Sequence, residues 1–162
     1  MSANEAPIWT TVERRGETYA ALSDRVFATP ELLYAETRAC AEHRAQLETE
    51  GFRITENPAG IPTAVIGEAG RGGPVIAILG EYDALPGLSQ EPGVAEHRPI
   101  EAGGPGHGCG HNLLGAASLL AAAAVKEWIE QTGVQATIRY YGCPAEEGGA
   151  AKTYMVRDGL FA

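Results

Sequence analysis

NLLGAASLLAAAAVKEWIEQTGVQATIRYY, residues 112–141, decides the architecture. From Asn112 to Gln131 the chain is rich in Ala and Leu on nearly every side as far as Lys126, the pattern of a helix packed inside a protein rather than lying on its surface. Gly133 closes that helix, and Val134 to Tyr141 then alternates polar and apolar residues as a strand does. Upstream, Pro74 to Leu79 (PVIAIL) is a short, β-branched-rich run bounded by Gly and Pro, which reads as another strand. Strand, helix, strand in that order predicts a right-handed crossover in an α/β sheet with helices on its faces.

Working outward, Phe52 to Thr55 and Thr63 to Gly67 are two further short strands. Ile8 to Phe27 carries Ile8, Val12, Tyr19, Leu22, Val26 and Phe27 at mostly helical spacing, with Thr29-Pro30 as its stop, and is expected as a surface helix. A second helix is expected from Ala35 to Glu50, with Ala39, Ala41, Ala45 and Leu47 on a weak stripe and Gly51 ending it. Gly148-Gly149 precedes a last helix, Ala150 to Arg157. Between the PVIAIL strand and the apolar helix lies a long loop, Pro86 to Gly110, dense in Gly and Pro. Loops beyond about 12–15 residues tend to be functional or disordered, and the cluster at the end of this one supplies a reason for it.

The 162 residues suit one domain of the usual roughly 100–200 residues, and 44% apolar with 20% charged residues is an ordinary globular mix. Acidic residues outnumber basic ones 21 to 12, for a formal charge of −9, which is no footprint for DNA or RNA. Cys40, Cys109 and Cys143 form no C-x-x-C pair and no disulfide framework, so a reducing compartment fits; Cys40 and Cys143 read as core thiols. The first residues, MSANEAPIWTTVERRGE, lack a basic segment followed by an apolar one, and no run of about 18 uncharged apolar residues occurs. The expectation is a cytoplasmic protein without membrane or nucleic-acid partners.

His107, Cys109 and His111 lie two apart in GPGHGCGHN, just before the apolar helix. Imidazole and thiolate suit Zn²⁺ or a similar transition ion, and the intervening glycines allow tight backbone that aims side chains inward. The helix start beside Cys109 is expected to lower its pKa toward the thiolate. His107 is the weakest member, read as positioning the loop or as supporting a ligand from behind, and left outside the ligand set. Glu146 and Glu147 follow a strand end, where open α/β sheets place ligands. In extended chain their side chains diverge, so one can bind a metal while the other moves a water's proton. A solvated pair opening a helix is the alternative. Asp83, in GEYDALPGLSQ, falls at another strand end, where it can orient a ligand imidazole or simply form a turn before Pro86; Glu81 is the less favoured functional residue. There is no G-x-S-x-G, P-loop or H-E-x-x-H; a Cys109–His111 thiol dyad is possible, but a shared metal is the easier geometry.

Together GEYDALPGLSQ, PGHGCGHNLLGAA and YYGCPAEEGGAAKTYMVRDG resemble the M20 metallopeptidases, in the amidohydrolase-like branch that uses a cysteine ligand. The similarity runs from about residue 8 to the end. It implies a three-layer α/β/α zinc-exopeptidase-like catalytic domain, of which residues 1–162 are the N-terminal portion. It also implies a two-metal site with Cys109, His111 and Glu147 as ligands, Glu146 as general base and Asp83 supporting a ligand. Zn²⁺ and Mn²⁺ both occur in the family. The implied reaction is hydrolysis of an amide bond to an amino acid, with p-aminobenzoyl-glutamate, a folate breakdown product, as leading substrate. Family members are longer: they supply two more histidine ligands and a smaller domain that mediates dimer contacts and helps hold the substrate carboxylate, so a complete member is expected as a homo- or hetero-oligomer. Two other readings compete: a non-catalytic truncated module that binds a longer M20 subunit, and a metal-free thiol enzyme using Cys109.

Overall fold

A computed structural model describes residues 5–162; Met1 to Asn4, part of the segment read as carrying no leader, lie outside the described residues. The elements run α1 (Glu5–Phe27), α2 (Thr37–Thr49), β1 (Arg53–Glu56), a 3₁₀ turn (Pro58–Gly60), β2 (Val65–Gly70), β3 (Val75–Glu81), α3 (His111–Thr132), β4 (Thr137–Cys143) and α4 (Ala151–Arg157). Every expected helix and strand is present, with ends shifted by a few residues; the 3₁₀ turn is an addition to them. The β4 strand starts at Thr137 rather than Val134, because Gly133 ends α3 in the left-handed region and Val134 leaves it exposed to solvent.

The sheet is mixed, in the order β1-β2-β4-β3. β3 and β4, joined through α3, pair in parallel with Glu81 opposite Cys143, whereas β2 runs antiparallel to both β1 and β4. Alternate residues feed opposite cores, as the pleat requires. Val65, Ile138 and Tyr140 join Leu22, Leu47 and Leu119 beneath α1, α2 and α3, while Ile66, Tyr141 and Cys143 join Ala151 and Met155 of α4 on the other face. Helices therefore cover both faces, giving the three-layer arrangement.

α3 is apolar and long enough to cross a membrane by length and composition, but it packs between α1 and the sheet. Gly115 lets it come so near: a Cβ there would lie 2.3 Å from the Glu81 carbonyl oxygen and 2.7 Å from the His43 ring. Asn112 Nδ2 donates to Ser23 Oγ at 2.9 Å, pinning the start of α3 to α1. β3 is an outer strand, with Val75, Ile76 and Leu79 exposed.

The long loop after β3 is stapled to itself. Leu85 and Gly106 exchange backbone hydrogen bonds of 3.0 and 2.9 Å, followed by Ser89 N–H to the Gly104 carbonyl and Glu91 N–H to the Arg98 carbonyl. Gly106 is required there, since a Cβ would sit 1.9 Å from the Leu88 carbonyl oxygen. The chain thus returns to where it left the sheet, which sets Cys109 and His111 beside the end of β3.

Candidate metal centre

The adjacent C-terminal ends of β3 and β4 and the N-terminus of α3 converge on one point. Glu81 ends β3, Asp83 follows it, His111 opens α3, and Glu146 and Glu147 occupy the turn after β4. His111, only 3% exposed, is the centre. Its Nδ1 faces Asp83 Oδ1 at 3.0 Å and the Asp83 carbonyl at 3.1 Å, which leaves Nε2 pointing at carboxylates. Glu81 Oε2 lies 3.1 Å from Nε2, Glu146 Oε2 3.8 Å and Glu147 Oε1 3.9 Å. Asp83 Oδ2 also accepts the Glu147 N–H at 3.0 Å, so one carboxylate braces both the imidazole and the glutamate turn.

Two overlapping sets of donor atoms lie within 4.8 Å of one another: Cys109, His111 and Glu147, and Glu81, His111 and Glu146. An ion about 2.0–2.2 Å from each nitrogen or oxygen donor keeps neighbouring donors roughly 3–4 Å apart, so these separations suit one. Glu147 Oε1 is buried with no hydrogen-bond partner, a cost that a cation at this point would remove. Nitrogen, sulfur and oxygen donors together suit Zn²⁺ or Mn²⁺ without choosing between them.

The electrostatics follow from these contacts. The hydrogen bond with Asp83 raises the His111 pKa above its usual value, against the opposing effect of burial. Burial pushes the Asp83 carboxyl up, but hydrogen bonds from His111 and the Glu147 amide outweigh it and leave the pKa below the usual carboxylate value. For Cys109 the structure reverses the sequence expectation: the nearby Glu147 carboxylate raises the thiol pKa.

Two further sequence expectations need correction. Glu146 and Glu147 are not in extended chain: Ala145 takes φ 54° and Glu146 to Gly149 form a turn, which brings both carboxylates to the same imidazole nitrogen. Nor do they open a helix, since α4 begins only at Ala151. Glu81, disfavoured beside Asp83, has the nearest carboxylate oxygen to His111 Nε2, and its other oxygen is held by Lys152 of α4. Its signal was the two-residue spacing from Asp83 at the end of one strand. His107 stands apart from both donor sets, its ring centroid 6.3 Å from that of Phe27 and its nitrogens buried without hydrogen bonds. Cys40 and Cys143 are buried, and burial pushes the Cys143 thiol up to about 12.

Two residues with no sequence signal clamp the glutamate turn. Buried Glu36, just before α2, accepts the Ala145 N–H at 2.8 Å, and the Tyr34 hydroxyl donates to the Gly149 carbonyl at 2.5 Å.

Residues 77–162 match Peptidase family M20/M25/M40. The chain is 51% identical over 151 residues to a subunit of the p-aminobenzoyl-glutamate hydrolase of Escherichia coli, covering 93% of this chain and 31% of that protein. It is 31% identical over 168 residues to the Xaa-Arg dipeptidase of Mus musculus, covering 93% of this chain and 34% of that one. Among solved structures it is similar to the YXEP protein of Bacillus subtilis, a dinuclear metal-binding peptidase from the M20 family. There the TM-score is 0.75 at 26% identity, over 92% of this chain and 40% of that one. The chain thus spans about a third of the length of the curated relatives it matches. The convergence of Cys, His and paired Glu at the sheet's C-terminal edge and the match over residues 77–162 agree: the chain belongs to Peptidase family M20/M25/M40.

Proposed function

We propose that this chain forms the N-terminal part of the catalytic domain of a metal-dependent amidohydrolase that cleaves N-acyl amino acids, with p-aminobenzoyl-glutamate as its leading substrate. One observation carries the reading: His111 Nε2, ordered by Asp83 through the opposite ring nitrogen, faces carboxylates at ion-binding separations, one of them with a buried, unpaired oxygen. The likeness to the E. coli hydrolase supports the substrate.

In this reading Cys109, His111 and Glu147 hold divalent metal, two ions of Zn²⁺ or Mn²⁺ being expected in the complete site. Bound there, such an ion polarises an amide carbonyl and eases deprotonation of water. Glu146, with 43% of its side chain exposed, reaches the open side of the site, where it takes the proton of the attacking water and returns it to the leaving amine nitrogen. Asp83 keeps His111 oriented. The complete protein is proposed to act in the cytoplasm as a homo- or hetero-oligomer, the latter in keeping with a relative that is itself named as one subunit of a hydrolase.

The test separates the two glutamates in the complete polypeptide. Glu146→Ala is expected to abolish release of p-aminobenzoate from p-aminobenzoyl-glutamate while sparing bound metal; Glu147→Ala is expected to lose metal as well. Metal lost from Glu146→Ala and kept in Glu147→Ala would reverse the two assignments. Full hydrolysis in both would sink the reading.

A further inference from the structure

Glu81 stands outside the ligand set just described, yet its Oε2 is nearer to His111 Nε2, at 3.1 Å, than either Glu146 or Glu147. The two carboxylate oxygens are divided between two tasks. Oε1 is engaged by Lys152 Nζ from α4, and Oε2 is turned to the imidazole. The carboxylate is 15% exposed and held at both ends, so little motion is left to it. We propose that Glu81 is a further metal ligand, donating Oε2 to the ion on His111 Nε2, while Lys152 engages its other oxygen. This rests on the metal-centre reading above.

Charge favours the assignment. Glu81, Asp83, Glu146 and Glu147 all lie within 4 Å of the His111 ring nitrogens, and Lys152 is the one lysine or arginine paired with any of them among the described residues. Like charges at such distances repel strongly where water is scarce, and a divalent cation is the group that turns the repulsion into attraction. Placement favours it too. Gly115 brings α3 against the Glu81 backbone, so the strand that carries Glu81 and the helix that carries His111 are locked at their point of contact. A carboxylate that served only as a strut for Lys152 would not need its second oxygen against the imidazole.

The test is a titration of the complete polypeptide with cobalt(II), read by the thiolate-to-cobalt absorption that reports Cys109 and by the ligand-field bands that report the remaining donors. Glu81→Gln is expected to weaken binding by about tenfold or more and to change the ligand-field bands while keeping the thiolate band. Lys152→Met, which keeps the carboxylate and removes a positive charge, is expected to bind cobalt as tightly as the parent or more so. Unchanged affinity and bands in Glu81→Gln would overturn the proposal. So would equal weakening in both variants accompanied by equal loss of thermal stability, the signature of a purely structural ion pair. Failure of the parent chain to show any cobalt band would instead remove the metal centre itself, and Glu81 as a ligand with it.

Discussion

The Glu36 carboxylate accepts the backbone N–H of Ala145 at 2.8 Å across 109 residues of sequence, and both residues are fully buried. Ala145 sits in the left-handed region at φ 54°, an unfavourable place for a residue with a side chain, directly before Glu146 and Glu147. The start of α2 thereby holds a strained backbone that aims two acidic side chains at His111. Burial pushes the Glu36 carboxyl above its usual pKa, and the hydrogen bond from Ala145 partly offsets this.

Removing that brace has a defined cost. Glu36→Ala leaves a buried N–H without a partner and is expected to destabilise the fold by about 1–3 kcal/mol in urea unfolding. Tyr34→Phe, which removes a hydrogen bond from a side chain on the surface, is expected to cost about 0.5–1.5 kcal/mol. Both should loosen metal binding, since they hold the two ends of one turn. A stable Glu36→Ala chain with parental cobalt affinity would show that the turn keeps its shape without help.

His43 makes stability depend on pH. It is fully buried, stacked on Tyr140 and tilted against Tyr82, with Nδ1 at 2.8 Å from the Tyr140 hydroxyl. Burial, reinforced by nearby Arg25, lowers its pKa to about 3. An unfolded chain takes up this proton near pH 6.5, so between 6.5 and about 3 the unfolded state binds more protons than the folded one. The contribution is fully present above 6.5 and declines by roughly 1.4 kcal/mol per pH unit through that window. His43→Gln should flatten the pH dependence there; denaturation curves at about pH 7, 5 and 4 would check it, and parallel slopes for the two chains would refute it.

Two glycine substitutions on helices should have opposite signs. Gly16 of α1 has open space where a Cβ would go, so Gly16→Ala is expected to stabilise by up to about 1 kcal/mol through helix propensity. Gly115→Ala gains the same propensity but drives a methyl group into the Glu81 carbonyl and His43, and overpacking of about 1–3 kcal/mol should win. Thermal midpoints of the two variants decide it.

Divalent metal should stabilise the chain through its ligands. Zinc or manganese at about 100 times its dissociation constant is worth roughly 2.7 kcal/mol, visible as a higher thermal midpoint that a chelator reverses. His111→Ala combined with Cys109→Ser should abolish the shift. A shift that persists in that variant would place the ion elsewhere.

Much of this was legible locally. The Ala- and Leu-rich run and the alternating strand after it announced α3 and β4, because helical and strand periodicities are written into consecutive residues. The Gly-rich GPGHGCGHN segment announced donors for the same reason. The approach of Glu81 to His111 is not readable in the sequence, because spacing says which way a side chain points, not what it meets there. Glu36 and Lys152 carried no signal, since each acts through a partner remote in sequence. The Cys109 thiol went the opposite way because the start of a helix is readable in sequence and the approach of Glu147 is not.

By itself, then, the amino-acid order determined the element types, the α/β layering and the kinds of donor atom available, all of which depend on residues within a few positions of one another. Only the tertiary structure decided which carboxylates meet. That outcome rests on the parallel register that sets Glu81 against Cys143, on the Leu85–Gly106 closure that returns His111 to Asp83 across 28 residues, and on a left-handed turn at Ala145. Each is a long-range or strained arrangement whose free energy comes from contacts that do not exist until the chain has folded.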